Sequence, residues 1–176
     1  MWVFGYGSLM WNPDFPVAET APARLHGWHR CFCMWSIHHR GTPECPGLVL
    51  ALDARRGAVC DGLAFRVAPG AEAATLAALR ERELISAAYL EATLPLALGS
   101  GATVEATAFV IDPAHRQYTG PLSLEDQAQV IARAHGGRGA NRDYLWNTVA
   151  HLQALGIDDP DLVWLSRRVR ALCPDG

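Results

Sequence analysis

Hydrophobic and polar positions alternate with a period of two through most of the first two thirds of the chain, which is typical of half-buried β-strands. Six runs rich in β-branched and aromatic residues predict strands at about residues 2–6, 24–37, 48–53, 59–67, 89–98 and 104–111. One predicted helix interrupts them over about residues 71–86, where alanine and leucine recur at helical spacing after Pro69-Gly70.

Capping residues predict three further helices near the end of the chain. Ser123, with Asp126 three residues later, resembles a capping box, and Asn141 can cap the next helix. Asp159 before Pro160 places proline at the first position of the last helix. The resulting order predicts an α+β fold, with a mixed or antiparallel β-sheet that can close into a barrel and with helices packed outside it.

Length and composition narrow the class of protein. The 176 residues, 50% of them hydrophobic, predict a single domain over residues 1–176. A formal charge of −3 gives no general attraction to nucleic acids or acidic membranes. All 15 basic residues are arginine, which excludes Schiff-base and Walker A chemistry. Five cysteines, no signal peptide and no apolar run of membrane length predict a soluble, reduced and cytoplasmic protein.

The segment Gly5-Tyr6-Gly7-Ser8-Leu9 follows the first predicted strand and is a candidate binding turn. Two glycines allow a sharp turn that exposes successive backbone N–H groups to a carboxylate or a developing oxyanion. Such a turn is expected to need either a positive φ or the close approach of a substrate at Gly7. The alternative interpretation is an ordinary turn that only ends a strand.

Glu83 is a candidate catalytic carboxylate because it lies on the apolar side of the predicted helix. At roughly 100° per residue it falls within about 20° of Leu76 and about 40° of Leu79. Burial of an unpaired carboxylate costs several kcal/mol or keeps the group protonated. Glu83 therefore either takes part in catalysis or forms an ion pair with an arginine. Arg80, three residues earlier, is the arginine that helical spacing offers for such a pair.

Histidines and cysteines cluster in one region, at His29, Cys31, Cys33, His38 and His39. The first three share one face of a predicted strand, but residues four apart on a strand lie about 13 Å apart and cannot both bind one zinc ion. These side chains are therefore expected to be packed thiols and rings, with no metal and no cofactor. Ser8 lacks the context of a catalytic nucleophile, which disfavours covalent catalysis.

Six segments, taken in order, resemble the ChaC-like family of glutathione-specific γ-glutamylcyclotransferases, and the likeness covers nearly the whole chain. They comprise residues 3–9 with Trp11, Pro13 and Phe15; residues 27–30 with Phe32, Ser36 and 39–41; Pro46-Gly47; Arg82-Glu83 with Tyr89; residues 118–121; and Asn141 with Tyr144-Leu145. Ala87-Ala88 depart from the family pattern, in which glycine is common before the tyrosine.

The resemblance implies a lyase-type reaction in which the α-amine of the substrate attacks its own γ-carbonyl, releasing 5-oxoproline and, from glutathione, Cys-Gly. It implies Glu83 as the general base and acid. The implied substrate-binding residues are Val3, Phe4, Gly5, Tyr6, Gly7, Ser8, Leu9, Arg40 and Tyr118. A small γ-glutamyl molecule is the expected partner, with no nucleic acid or membrane. Action on other γ-glutamyl amines and a non-catalytic binding domain remain the alternatives, and the oligomeric state is open.

Overall fold

The computed structural model describes residues 1–84 and 87–174 and contains a closed five-stranded barrel. The strands follow one another around the barrel in the order β1, β3, β2, β4, β5. Their bounds are Trp2–Gly5 for β1, Val17–Ser36 for β2, Gly47–Val67 for β3, Tyr89–Leu98 for β4 and Thr103–Ile111 for β5. A short two-stranded sheet joins β6, His135–Gly136, to β7, Gly139–Ala140.

The sheet is mixed, because its first strand has one parallel and one antiparallel neighbour. Strand β1 pairs antiparallel with β3, where Trp2 lies opposite Arg66, and parallel with β5, where Trp2 lies opposite Ala106. Strands β4 and β5 form an antiparallel hairpin with Tyr89 opposite Ile111. The predicted fold class, an α+β protein with a mixed sheet closed into a barrel, is confirmed.

The prediction of two separate strands at 48–53 and 59–67 is wrong, since both belong to the single strand β3. Residues 54–57 between them are exposed, and Gly57 has a φ of 80°. An exposed stretch of strand carries no alternating apolar pattern, and a glycine with positive φ within it resembles a turn in the sequence. For the same reason β2 begins at Val17, earlier than predicted, in a largely exposed stretch.

The described residues contain four α-helices, and two of the three predicted caps are present. Ser123 accepts a hydrogen bond from the N–H of Asp126, and Asp159 accepts one from the N–H of Leu162, with Pro160 at the first turn. Asn141 does not cap, because it is already the first residue of its helix. The helices are α1, Glu72–Glu83; α2, Leu124–Arg133; α3, Asn141–Ala154; and α4, Pro160–Leu172. Residues 85 and 86, the end of the first predicted helix, lie outside the described residues.

The chain forms two compact units, and strands β2 and β3 have residues in both. The barrel unit comprises residues 1–31 and 51–115. One of its hydrophobic clusters is built around Phe4, Leu25, Leu52 and Leu96, each no more than 1% exposed. A second cluster joins Leu79 of α1 to buried residues of the strands and of the segment that follows β1, namely Val3, Leu9, Val67 and Phe109.

The helical unit comprises residues 32–50 and the described residues from 116 onward. Its helices α2, α3 and α4 bury large aliphatic side chains, among them Ile131, Leu145 and Leu165. No helix in the described parts of the chain is long and apolar enough to cross a membrane. That residues 1–176 form a single domain stays a prediction.

Asn141 holds the start of α3 to strand β3 inside the helical unit. Its side-chain oxygen accepts the N–H of Leu48 at 2.6 Å, and its amide nitrogen donates to the Leu48 carbonyl at 2.7 Å. Asn141 is completely buried. The side chain therefore imitates a neighbouring β-strand by satisfying both backbone groups of one residue.

Asn141→Ala is expected to lower the free energy of unfolding by about 2–4 kcal/mol, because two buried backbone groups lose their partner. Urea denaturation measures the loss. Asn147→Ala, at an exposed position of the same helix, is the matched control and is expected to change the free energy by less than about 0.5 kcal/mol. A loss at Asn141 no larger than that of the control would contradict this account.

Candidate active site

Glu83 is the last residue of α1 and lies on the side of the helix that faces the second hydrophobic cluster. Leu79, one turn earlier, is 2% exposed, and the Glu83 side chain is 20% exposed. The last helical hydrogen bond runs from the N–H of Leu84 to the carbonyl of Arg80, and the helix ends before Leu84, whose backbone leaves the helical conformation. The apolar spacing of the helix therefore places a carboxylate where water is largely excluded, as the sequence predicts.

The ionic partner of Glu83 is the adjacent arginine. Arg82 Nε lies 3.2 Å from Glu83 Oε1. Arg80, the partner considered from helical spacing, instead makes two hydrogen bonds to the carboxylate of Glu91 on strand β4, at 2.6 Å and 3.0 Å. The suggested pair between Arg80 and Glu83 is therefore wrong, because an acidic residue across the barrel unit competes for that guanidinium.

Burial raises the pKa of Glu83 above its ordinary value, and the nearby Arg82 cation opposes part of that increase. Loss of hydration is the larger of the two causes. A carboxyl group whose pKa lies above its ordinary value holds a proton more readily, which is the direction that favours proton transfer by a general base and acid. This is the electrostatic property that a general base and acid requires.

Glu83→Gln is expected to change how stability depends on pH. Between the ordinary Glu pKa of about 4.5 and the raised pKa, the folded wild type holds a proton that the unfolded chain has released. Wild-type stability therefore falls as the pH rises through this window, and glutamine removes that contribution. The Tm of the variant minus that of wild type should increase from about pH 4.5 and then become constant. Glu81→Gln, at an exposed position, is the control. A difference that does not vary with pH would contradict the raised pKa.

The candidate binding turn directly follows β1. The carbonyl of Gly7 accepts the N–H of Met10 at 2.9 Å, which closes a short 3-10 turn over Ser8–Met10. The first N–H groups of such a turn, those of Ser8 and Leu9, have no acceptor within the turn itself. The expectation that this segment turns sharply is met, whereas the presentation of its backbone N–H groups to a substrate stays a prediction.

The two glycines of the turn differ in what they require. A Cβ at Gly5 would lie 2.8 Å from the ring of Phe65 and 3.3 Å from Met10 Cγ, so Gly5 is needed for packing. Gly7 has a φ of −137°, and the expectation of a positive φ there is wrong. Of the two reasons given for a glycine at Gly7, only the close approach of a substrate remains.

Tyr6 is held by hydrogen bonds at its hydroxyl and at its carbonyl, and the sequence analysis anticipated neither of them. Its hydroxyl donates to the carbonyl of Phe109 at 2.9 Å. Its own carbonyl accepts Nε of Arg30 at 2.6 Å, and the same guanidinium also donates to the carbonyl of Asp61. Arg30 is only 6% exposed. The sequence does contain a sign of this burial. Arg30 alternates along its strand with the apolar residues Phe32 and Met34 and therefore lies on the same face as they do.

The remaining predicted binding residues, Val3, Phe4, Arg40 and Tyr118, differ in burial and in the unit to which they belong. Val3 and Phe4 are 0% and 1% exposed and pack in the hydrophobic clusters of the barrel unit, so their side chains support the turn. Arg40 and Tyr118 belong to the helical unit. Arg40 donates to the carbonyl of Arg138 at 2.6 Å and lies over the ring of Tyr144.

One group of possible metal ligands includes a residue that the sequence did not indicate. Donor atoms of His29, Cys31 and Asp53 lie within 4.8 Å of one another. Asp53 is on β3, and only the pairing of strands reveals it as a neighbour of β2. Cys31 is disulfide-bonded, however, and a disulfide sulfur is not the thiolate that zinc binds.

The cysteines differ from the expected set of reduced thiols. Cys31 and Cys33 are both disulfide-bonded, whereas Cys45, Cys60 and Cys173 form no disulfide. The expectation of packed thiols is therefore wrong for the first two. Cys31 and Cys33 lie two residues apart on β2, and alternate residues of a strand point to the same face.

A family model and several relatives match the chain over almost its full length. The model described as ChaC-like protein matches residues 1–172. A protein of Escherichia coli strain K12, named glutathione-specific gamma-glutamylcyclotransferase, is 38% identical over all of this chain and 77% of its own length. Gamma-glutamylcyclotransferase 2-3 of Arabidopsis thaliana is 35% identical over 97% of this chain and 88% of its own length.

The fold is also similar to that of a solved structure. A yeast gamma-glutamyl cyclotransferase specific to glutathione superposes with a TM-score of 0.86, covering 97% of this chain and 96% of the yeast chain at 24% identity. At that identity the likeness concerns the fold. The family match over residues 1–172 and the two relatives above one-third identity carry the assignment. The chain belongs to the ChaC-like family, and the relatives described here bear the name γ-glutamylcyclotransferase.

Proposed function

We propose that this protein is a γ-glutamylcyclotransferase that converts glutathione into 5-oxoproline and Cys-Gly, with Glu83 as general base and acid. The observation that carries the proposal is the largely buried Glu83 carboxylate, whose pKa is raised. Arg82 links this carboxylate to the candidate binding turn at residues 5–9, the Gly-rich turn. The names of the E. coli and Arabidopsis relatives support the reaction, and the E. coli name supports glutathione as substrate.

The proposed reaction needs one group that moves a proton. The α-ammonium of the substrate first loses a proton to Glu83, and the free amine then attacks the γ-carbonyl. A new C–N bond closes the five-membered ring, and the C–N bond to cysteine breaks. Glu83 returns this proton to the leaving amine as its C–N bond breaks. The carboxylate then takes the second proton of the attacking nitrogen and passes it to the released amine or to solvent. Glu83 therefore ends ionised, no water is consumed and no electron is transferred.

Ring closure explains why a protein with so little catalytic machinery suffices. The nucleophile and the carbonyl belong to the same molecule, and well-oriented intramolecular reactions reach effective molarities of roughly 10⁵ M or more. The chain has to hold the substrate in its curled conformation and stabilise the charge on the carbonyl oxygen. We assign the second task to the backbone N–H groups around Gly7, Ser8 and Leu9.

The family resemblance also implies Arg40 and Tyr118 as substrate-binding residues, and their roles are proposed from the chemistry of their side chains. Arg40 is proposed to pair with a substrate carboxylate, since guanidinium groups bind carboxylates well. Nη1 of Arg40 already donates to the Arg138 and Ala140 carbonyls, so other edges of the guanidinium would receive the substrate. Tyr118 is proposed to hydrogen-bond the glutamyl head.

Substrate choice and activity are tested together by a panel of γ-glutamyl compounds. The purified protein is incubated with glutathione, with γ-glutamyl dipeptides and with N-acetylated glutathione, and 5-oxoproline is followed by mass. We expect the highest kcat/KM with glutathione and no product from the acetylated compound, whose nitrogen cannot attack. Higher kcat/KM with another γ-glutamyl amine would reassign the substrate, and binding without product would support a non-catalytic domain.

Activity is expected to survive exhaustive treatment with EDTA, because the proposed steps use a carboxylate and backbone amides. The only group of three potential ligands found among the described residues includes the disulfide-bonded Cys31. The initial rate of 5-oxoproline formation is measured before and after chelation and after added Zn²⁺. A rate that is lost with EDTA and restored by zinc would overturn the proposed mechanism.

The cytoplasm is the proposed location on the ground of the proposed substrate, although disulfides such as those of Cys31 and Cys33 are rare in that compartment. Its thiol pool is kept reduced by glutathione, which makes the proposed substrate abundant there. Fractionation of the native host, with the antibody signal compared between soluble and exported fractions, tests this proposal. Recovery in an exported fraction would contradict it.

A further inference from the structure

Arg82 contacts three different groups with its three guanidinium nitrogens. Nε lies 3.2 Å from Oε1 of Glu83, Nη1 donates to the carbonyl of Asn12 at 3.1 Å, and Nη2 donates to the hydroxyl of Ser8 at 2.9 Å. The side chain is 30% exposed. One rigid, planar group therefore connects the carboxylate at the end of α1 with Ser8, the first residue of the 3-10 turn, and with Asn12, two residues after its end.

Helix geometry alone does not produce this arrangement. Adjacent residues of an α-helix point about 100° apart, so their side chains do not normally face each other. Arg82 contacts Glu83 while its outer nitrogens reach across to Ser8 and Asn12. Because the guanidinium is planar, the positions of its three acceptors are fixed relative to one another.

Given the proposed function, on which this inference rests, we infer that Arg82 is a positioning residue that holds the Glu83 carboxylate in place against the Gly-rich turn. Its positive charge also favours the ionised carboxylate, which is the form that accepts the substrate proton. In the proposed reaction Glu83 exchanges protons with the nitrogen atoms, and the backbone N–H groups of the turn stabilise the carbonyl oxygen. Both act on one reacting amide, so the distance between the Glu83 carboxylate and the turn has to be constant.

The other charged groups near Glu83 are exposed or are paired elsewhere. Residues 5–13 of the turn contain no ionisable side chain except that of Tyr6, whose hydroxyl is bonded to Phe109. Tyr89 packs against the same hydrophobic cluster as α1. On α1, Arg80 is paired with Glu91, Glu72 accepts the N–H of Gly70, and Glu81 is exposed. On the strands that contribute to the same cluster, Arg66 is paired with Glu19 and Asp61 with Arg24, Asp53 lies beside His29 and Cys31, and Arg55, Arg56 and Glu105 are exposed. Arg82 is thus the cation in contact with the carboxylate.

Arg82→Gln tests the role of the charge. Without the cation the burial of Glu83 is unopposed, so the acid limb of the kcat/KM profile should move upward by about one pH unit. We also expect kcat to fall on the order of 10²-fold, because the carboxylate loses its fixed position. The same displacement of the Glu83 pKa should appear in an NMR titration of its ¹³C-labelled carboxyl group, a readout that needs no substrate.

Arg82→Lys separates charge from geometry. Lysine keeps the positive charge but lacks the planar array of donors, so it cannot reproduce the contacts to Glu83, Ser8 and Asn12 together. We expect the acid limb to remain near its wild-type position while kcat falls at least about tenfold. If Arg82→Gln fails to fold, a kcat of Arg82→Lys within about twofold of wild type overturns the inference.

Arg80→Gln is the matched control, since it removes an arginine from the same helix and breaks the ion pair with Glu91. Its pH profile is expected to coincide with that of wild type. An Arg82→Gln profile and ¹³C titration that both coincide with wild type would overturn the inference about Arg82. A wild-type protein that makes no 5-oxoproline would instead refute the proposed function, while the titration would still report on Arg82.

Discussion

Glu83→Gln is expected to reduce 5-oxoproline formation from glutathione by on the order of 10³-fold or more, with little change in folding or substrate affinity. Glutamine keeps the shape of the side chain but cannot accept a proton, so the α-ammonium stays protonated and cannot attack. Single-turnover rates give the loss in the chemical step, and isothermal titration of the variant with glutathione gives the affinity.

The matched control is Glu81→Gln, which removes a carboxylate two residues earlier on the exposed side of the same helix. Its rate is expected to equal that of wild type within about twofold. If Glu83→Gln retained a rate within about tenfold of wild type, Glu83 would not be the proton acceptor. The reaction would then need another base.

Gly7→Val is expected to lower kcat on the order of 10²-fold, a far larger loss than its change in stability explains. The backbone at Gly7, with a φ of −137°, does not require positive φ, so the expected loss comes from side-chain bulk where the substrate approaches. Displacing one backbone donor from a developing oxyanion has an effect of this size in other enzymes. The rate per folded molecule and the Tm are measured on one preparation.

Gly5→Ala, two residues earlier, provides the contrast. Its new Cβ would meet the Phe65 ring at 2.8 Å, so the main expected effect is a lower Tm. A Gly7→Val protein that is destabilised but retains the full rate per folded molecule would reduce the Gly-rich segment to an ordinary turn at the end of a strand.

Local sequence patterns were sufficient to predict elements and buried positions wherever buried residues recur every two residues along a strand or every three to four along a helix. Strand β4 has the bounds that alternation predicts, 89–98, because the turn after it begins at Gly99 and one face is buried. Glu83 was found for the same reason, since helical spacing places it with Leu76 and Leu79. Ser123 and Asp159 cap their helices with side chains whose chemistry acts within three residues.

The features that were missed depend on contacts between distant parts of the chain. Helical spacing offered Arg80 as the partner of Glu83, and only the position of Glu91 on β4 explains why Arg82 takes that place. Asn141 has a side chain that commonly caps helices, but it pairs with the backbone of Leu48, 93 residues away. Arg30 reaches Tyr6 only because β2 lies within the closed barrel.

The central claim is that the substrate's own amine, with Glu83 as proton carrier, breaks the γ-glutamyl bond. Incubation of the protein with glutathione in H₂¹⁸O, followed by mass spectrometry of all products, tests it directly. The account predicts unlabelled 5-oxoproline and Cys-Gly in equal amounts, because no water enters the reaction. Glutamate carrying ¹⁸O as the main product would show attack by water on the γ-carbonyl and would contradict the account.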